Sequence, residues 1–173
     1  MYDGKPGLVE LFTWQSVTDF IDLGMQEREA RDAMCVVVLD LSLGADALFA
    51  GFSQTRRNEI RKALKKDLVE VKELETSEEL DQMYAIHVEW CNRKGNPADT
   101  FEQMETAVSQ RENRRTFIAK TDGKVIAGSF YRFCPGGMVE YAGNSSIPEY
   151  QRLRPNDLIG WYAIQWACGE DFT

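Results

Sequence analysis

The apolar positions of the chain first predict helices. Apolar side chains recur at intervals of three and four residues in four segments, residues 14–30, 53–66, 76–94 and 101–110. Ser53 and Thr76 are typical N-cap residues, and Glu79 follows Thr76 at the spacing that a capping box requires. Gly95 is typical of the end of the third helix, and a shorter helix is predicted around Phe49.

Short apolar runs predict strands between and after these helices. The runs are residues 34–41, 68–72, 116–120, 125–134 and 138–142. Asp122 and Gly123 predict a tight turn that joins two of them as a hairpin. Residues 143–148 are polar and predict a loop, after which Pro155 begins a helix that runs to about Cys168.

The order of these elements predicts an α/β (α+β) fold with a mixed, mostly antiparallel sheet flanked by helices. The last helix is apolar on nearly every side, which is typical of a buried helix. A buried helix needs a strand to cover it, and only five residues follow Cys168. We therefore expect a domain that is incomplete at its C-terminus, or that a homo-oligomer completes in trans through an exposed sheet edge.

Composition narrows the class of protein. A chain of 173 residues with nine Phe, six Tyr and four Trp is long and apolar enough to fold around a sizeable core, which excludes disorder as its main state. The longest apolar runs are too short to span a membrane, and residues 1–7 lack the apolar segment of a signal peptide. We expect a cytoplasmic protein, with peripheral association at the inner face of the membrane as an alternative location.

The cysteines predict no metal site. They stand singly at Cys35, Cys91, Cys134 and Cys168, without a Cys-x-x-Cys pair and without paired histidines. In a reducing cytosol they are expected to be buried free thiols.

The charge is unevenly distributed. The net charge is −8, which argues against a general affinity for nucleic acid. Residues 56–66 read RRNEIRKALKK and carry six basic side chains and one acidic one. This basic helix on an acidic protein indicates one local anion site, although a charge run is also typical of a solvated helix face.

Three segments carry a family resemblance. They read FSQTRRNEIRKA (52–63), FIAKTDGKVIAGSFYRF (117–133) and YAGNSSIPEYQRLRPNDLIGWYAIQWA (141–167). In this order they resemble the FemAB branch of the GNAT acyltransferase superfamily, the peptidoglycan-bridge aminoacyltransferases and their FemAB-like acetyltransferase relatives. The resemblance implies a GNAT-like fold in which residues 1–52 end a first GNAT-like half and residues 53–173 form part of a second.

The resemblance also implies a reaction of bacterial cell-wall synthesis. An aminoacyl group would pass from an aminoacyl-tRNA to an amine of a peptidoglycan precursor, lipid-linked or soluble, with no permanently bound cofactor. The first alternative is an acyl-CoA-dependent N-acetyltransferase that acts on another amine. The second alternative, from a different class, is a non-catalytic binding or assembly fragment.

The resemblance assigns the basic residues to substrate binding. Arg56, Arg57 and Arg61 would hold phosphates of tRNA or of a lipid-linked precursor, because guanidinium groups bind phosphate in a bidentate manner. A polar surface helix is the structural alternative for all three.

The loop 151–156 stands where acetyl-CoA-dependent relatives bind the cofactor pyrophosphate. Arg154 and Asn156 occupy the positions of the usual glycines, and Pro155 has no amide hydrogen to donate. This departure weakens the acetyl-CoA alternative. The residues assigned to substrate binding are Arg152, Arg154 and Asn156. For Arg154 the alternative is a surface position without a ligand.

The polar segment after the last predicted strand supplies the candidate catalytic residues. Tyr141 would relay a proton, and Asn144 would hold the acyl carbonyl. Ser145, which could hold the same carbonyl, is assigned to substrate binding. A polar turn with a core tyrosine is the alternative. His87 lies on the apolar stripe of its helix and is interpreted as a core residue. No serine or cysteine has a recognisable base partner, so we expect no nucleophilic catalysis.

Overall fold

A computed structural model describes residues 38–170 and residue 172. The elements in chain order are α1 (Gly44–Gly51), α2 (Gln54–Lys66), β1 (Glu70–Glu73), α3 (Ser77–Lys94), α4 (Phe101–Ser109), β2 (Arg114–Thr121), β3 (Lys124–Phe133), β4 (Val139–Ser146) and α5 (Pro155–Gly169). Turns of 3₁₀ helix precede α1 at Leu41–Leu43 and α5 at Pro148–Leu153. From Leu39 onward the chain forms one structural unit.

The helix ends form where the sequence predicts them. The Ser53 side chain accepts a hydrogen bond from the amide of Arg56 at the start of α2. Thr76 and Glu79 complete a capping box at the start of α3, and Gly95 ends that helix in the left-handed conformation that glycine adopts without strain. These bonds satisfy backbone groups that a helix leaves without an intrahelical partner.

The four strands form one antiparallel sheet in the order β1-β2-β3-β4. Asp122 and Gly123 both have positive φ, which matches the right-handed twist of a two-residue hairpin between β2 and β3. The predicted α+β architecture with an antiparallel sheet is therefore confirmed, while the predicted division at residue 52 stays a prediction.

Helices cover both faces of this sheet. One face packs on α3 and α4 through a cluster that includes Met83, Met104 and Ile118. The opposite face packs on α5 through a cluster that includes Phe117 and Ile159. Successive residues of a strand point to opposite faces, so neighbouring residues of β4 lie in different environments.

Two predicted elements need correction. Residues 38–40 are irregular, and the Asp40 carboxylate accepts the amide of Ser42 and starts a 3₁₀ turn, so the strand predicted for residues 34–41 is wrong in its described part. Residues 143–146 continue β4 instead of forming a loop, because Ser145 and Ser146 pair with Gly128 and Ala127 of β3. The predicted helix 14–30 and the beginning of the 34–41 run lie outside the described residues.

The cysteine prediction holds in part. Cys91 is buried and Cys168 is half-buried, and both are free. Cys134 is exposed because it follows β3 in a turn, so its predicted burial is wrong. Cys35 lies outside the described residues. None of the helices within residues 38–170 combines the length and the apolarity that crossing a membrane requires.

Candidate functional site

A cleft of about 350 Å³ lies between α2 and α5. Its apolar lining includes Ile60 from α2 and Trp161 and Ile164 from α5, while Arg56 and Asp157 supply its charged groups. The rings of Phe49 and Trp161 lie 4.7 Å apart, so α1 supports the aromatic wall. A cleft with an apolar lining and a few polar groups is typical of a small-molecule site.

The charged groups of this cleft form a network around Asp157. Arg56 pairs with Asp157 across 101 residues of sequence. Arg154 contributes a second guanidinium, with its Nη1 3.6 Å from Asp157 Oδ2 and its Nη2 3.2 Å from Glu59 Oε2. Hydrogen bonds from Lys62 and then Arg154 lower the pKa of Glu59, which keeps this carboxylate ionised. We call Arg56, Asp157, Arg154 and Glu59 the Asp157 network.

The N-terminus of α5 offers little to an incoming anion. Pro155 is the first residue of α5 and has no amide hydrogen, while Arg154 before it is left-handed, with a φ of 60°. The Asp157 carboxylate already lies in the first turn, where the helix dipole favours negative charge. A pyrophosphate at this place would meet that carboxylate.

Two predicted phosphate ligands of α2 contact the protein itself. The Arg57 guanidinium donates to the carbonyls of Ala50 and Phe52, and so joins α1 to α2. The Arg61 guanidinium lies 5.1 Å from the centre of the Phe49 ring, a cation–π distance. Their assignment to phosphate binding stays a prediction.

The candidate catalytic residues of β4 lie along the edge of the sheet. Tyr141 is exposed, and its ring centre lies 5.6 Å from that of Tyr131, which belongs to the cluster beneath α5. Partial burial raises the pKa of the Tyr141 hydroxyl, although a hydrogen bond with Ser129 opposes the shift. The phenol therefore keeps its proton at neutral pH. Asn144, half-buried, pairs with Ser129 in the strand register.

Ser145 and Asn156 lie on opposite sides of β4. Asn156 contacts Ser146, and successive residues of a strand point to opposite faces of the sheet. Ser145 lies on the α3 side, only 1% exposed, with its hydroxyl 3.3 Å from His87 Nδ1. Asn156 lies in the first turn of α5, and its Nδ2 donates to Ser146 Oγ at 3.3 Å. The two predicted substrate-binding residues thus lie in different environments.

His87 is the centre of an unforeseen polar cluster. Besides Ser145, its Nε2 lies 3.5 Å from Asp99 Oδ2 and 3.6 Å from Cys91 Sγ. The expectation that no serine or cysteine has a base partner is therefore wrong, because the fold brings a histidine to both. Burial of Ser145 and Cys91 keeps both nucleophiles from a substrate, and it raises the pKa of the Cys91 thiol. The cluster fits a core role for His87.

Arg152 lies apart from the cleft. It is exposed and lines a smaller hollow of about 50 Å³, together with Arg154, Lys62 and Lys66. The predicted site residues are therefore dispersed: Arg56 lines the cleft, while Arg152 and Arg154 line this hollow. The others lie on β4 (Tyr141, Asn144, Ser145), against α1 (Arg57, Arg61) or against Ser146 (Asn156).

Sequence reasoning missed Asp157, Glu59 and Trp161. Asp157 follows directly after the loop 151–156, but the sequence argument for that loop depends only on the missing glycines and on Pro155. An acidic residue in the first turn of a buried helix is a usable signal, because its carboxylate is held near the helix N-terminus. Nothing in the sequence pairs Glu59 with Arg154.

Comparisons with known proteins identify a family to which most of the described chain is similar. A family model described as an acetyltransferase (GNAT) domain matches residues 50–173. Among solved structures, a crystal structure of FemX is similar, with a TM-score of 0.63 and 14% sequence identity, covering 73% of this chain and 48% of that chain. An acetyltransferase from Streptococcus agalactiae 2603 is similar over 62% of this chain and 70% of that chain, with a TM-score of 0.48 and 16% identity.

The FemX likeness shows the fold alone, since the identity is low. The chain spans about half the length of the FemX chain. No curated protein matches the sequence.

Proposed function

The chain belongs to the acetyltransferase (GNAT) domain family, and we propose that it transfers an aminoacyl group from aminoacyl-tRNA to an amine of a peptidoglycan precursor. The family supports acyl transfer as the class of reaction. The FemAB-like segments of the sequence, together with the fold that the chain shares with FemX, support the narrower choice of donor and acceptor.

One observation carries the choice of donor, namely the N-terminus of α5. A CoA donor needs free backbone amides and an uncancelled helix dipole for its pyrophosphate. Here Pro155 removes an amide, the Asp157 carboxylate lies in the first turn, and the Arg154 side chain extends toward Glu59. This arrangement favours a donor that does not bind through a pyrophosphate at α5.

The cleft between α2 and α5 suits an acceptor with a primary amine on an aliphatic stem. The stem would pack against Trp161 and Ile60, and the ammonium group would pair with Asp157. The Arg56 side chain is 54% exposed, so it can leave Asp157 for solvent when the ammonium enters.

The chemistry needs little activation, because an aminoacyl ester is already a reactive acyl donor. The acceptor ammonium would first lose one proton to solvent, and its neutral nitrogen would attack the ester carbonyl carbon, so that the carbon–nitrogen bond forms and the bond to the ribose oxygen breaks. The Tyr141 phenol would donate its proton to the leaving oxygen, and the proton that the new amide nitrogen releases would pass through solvent to the Tyr141 phenolate. Asn144 would donate a hydrogen bond to the carbonyl oxygen as negative charge develops there.

The test is transfer of a radiolabelled amino acid from charged tRNA to a peptidoglycan precursor by the purified chain. We expect transfer that Asp157→Asn and Tyr141→Phe reduce by at least about tenfold, a typical size for losing one catalytic or positioning group. Asp81→Asn and Tyr84→Phe are matched controls from α3, outside the cleft and the β4 edge, and should keep the wild-type rate.

Radiolabelled acetyl-CoA is the competing donor in the same assay. Acetyl transfer without aminoacyl transfer would overturn the proposed donor and favour an N-acetyltransferase, which the description of the matching family also suggests. Absence of transfer from both donors by a cooperatively folded chain would overturn the enzyme proposal.

A further inference from the structure

A second basic surface lies beside the cleft. Four cationic side chains line the hollow between the C-terminal half of α2 and the 3₁₀ turn before α5, namely Lys62, Lys66, Arg152 and Arg154. Leu68, which is 54% exposed, contributes an apolar side chain to the same hollow. We call this surface the basic groove.

The charges of the basic groove are only partly neutralised. Glu59 is the acidic residue in its lining, and it pairs with Lys62 at 3.3 Å and with Arg154 at 3.2 Å. Within the described part of the chain, neither Lys66 nor Arg152 forms an ion pair with a carboxylate. Two exposed cations therefore remain available on a protein whose net charge is −8.

The spacing of these cations suits a chain of phosphates. Lys62 and Lys66 are one helical turn apart, a rise of about 6 Å, which is comparable with the interval between successive phosphates of a nucleic-acid strand. Arg152 and Arg154 add guanidinium groups, which bind phosphate in a bidentate manner. Leu68 offers an apolar contact to a ribose or a base.

The basic groove also adjoins the proposed acceptor cleft. Arg154 lines the groove, and its Nη1 lies 3.6 Å from the Asp157 carboxylate of the cleft. A strand whose phosphates lie in the groove can therefore present its end next to Asp157.

We propose that the basic groove binds the sugar–phosphate backbone of an RNA strand, and that it directs the 3′ end of that strand to the Asp157 cleft. This inference rests on the proposed function, because it gives the aminoacyl-tRNA donor a docking surface. The concave shape and the single exposed leucine favour RNA over an anionic membrane, which would need a broader apolar face. The cations that matter are Lys66 and Arg152, rather than the α2 arginines that contact the protein itself.

The test is fluorescence anisotropy of an uncharged RNA hairpin with a single-stranded 3′ end, titrated with the full chain over a range of salt concentrations. Phosphate contacts from Lys66 and Arg152 predict a slope of log K against log salt of about −1.4. Lys66→Glu and Arg152→Glu should each weaken binding by about tenfold at low salt and reduce the slope by about 0.7. Thermal melts establish that each variant folds.

Two control variants test the position of the contact. Lys94→Glu removes the same charge from the exposed end of α3, far along the chain from the groove, and should leave RNA binding close to wild type. Lys65→Glu lies on α2 beside Lys66 but does not line the groove, so it should weaken binding less than Lys66→Glu.

Equal losses in Lys66→Glu and Lys94→Glu would overturn the inference. Binding to phosphatidylglycerol vesicles without binding to RNA would overturn it as well. The proposed function can be refuted separately from this inference. If RNA binding depends on Lys66 but no aminoacyl transfer occurs, the basic groove is supported and the proposed enzymatic function is wrong. If aminoacyl transfer occurs and its KM for charged tRNA is unchanged in Lys66→Glu, the enzymatic function is supported and the inference about the basic groove is wrong.

Discussion

Two carboxylates of this protein each lie between two cations, yet their surroundings differ. Glu79, at the start of α3, accepts from Lys120 Nζ at 2.8 Å and lies 3.3 Å from Lys72 Nζ. Asp157, at the start of α5, lies between Arg56 and Arg154. Both sets join elements that are distant in sequence.

Burial separates the two clusters. The Glu79 side chain is 5% exposed, and its other oxygen accepts the amides of Glu75 and Thr76. The Asp157 side chain is 13% exposed, and the larger contrast is in the cations: the arginines around Asp157 are 54% and 43% exposed, against 27% and 20% for the lysines around Glu79. Exposed ion pairs contribute little to stability, while a buried carboxylate with all its bonds made is costly to disturb. The first cluster therefore stabilises the fold, and the second is free to exchange a cation for a ligand.

The largest expected effect on stability is at Glu79. Glu79→Gln removes the buried charge with which the half-buried Lys120 and Lys72 pair, and should lower the free energy of unfolding by about 3 to 5 kcal/mol. Urea unfolding measures this loss. Glu78→Gln, the exposed neighbour in the same turn, is the control and should change stability by less than about 0.5 kcal/mol. Equal effects would remove the contrast between the clusters.

The pH dependence of the free energy of unfolding should also depend on the Glu79 carboxylate. Burial would raise the pKa of Glu79, but hydrogen bonds from Lys120, the amides of Glu75 and Thr76, and Lys72 outweigh it and lower the pKa from 4.5 to about 2. Because the folded-state pKa is the lower one, this stabilisation is present above pH 4.5 and is lost as the pH falls toward 2. Its size is about 3 kcal/mol.

The measurement compares the free energy of unfolding of wild type and Glu79→Gln between pH 6 and pH 2. The difference between the two proteins should shrink as the pH falls through this range. A difference that does not change with pH would show that Glu79 titrates normally in the folded protein.

A smaller effect is expected at His87, on the same face of the sheet as Glu79. His87→Leu leaves the buried Ser145 hydroxyl without its 3.3 Å partner and should cost about 1 to 3 kcal/mol. His87→Asn can place an amide near the former Nδ1 and should cost less. Thermal melts rank the variants. If either variant lost aminoacyl transfer while it remained folded, the core role of His87 would be wrong.

The smallest expected effect on stability is at Asp157. Asp157→Asn leaves Arg56 and Arg154 facing water, so the free energy of unfolding should change by less than about 1 kcal/mol. Urea unfolding under the conditions used for Glu79→Gln gives a direct comparison. A loss as large as that of Glu79→Gln would mean that the Asp157 network is structural, and the proposed acceptor site would lose its main support.

The sequence alone determined the features that depend on residues close together in the chain. The Thr76–Glu79 capping box, the Ser53 cap and the Asp122-Gly123 turn are confirmed, because each is made by side chains or backbone within four residues. The broader part of the family resemblance, a GNAT domain, is confirmed as well, since it depends on the order of segments along the chain.

Only the tertiary structure decided which distant residues meet. Residues 143–146 look like a loop by composition, but pairing with β3 makes them a strand. Arg56 meets Asp157 across 101 residues, and His87 meets Ser145 across 58. Glu79 combines both cases. The sequence predicted its bond to the Thr76 amide, while its bond to Lys120 forms only because the sheet packs against α3. Contacts of this kind depend on the path of the whole chain, which local patterns do not encode.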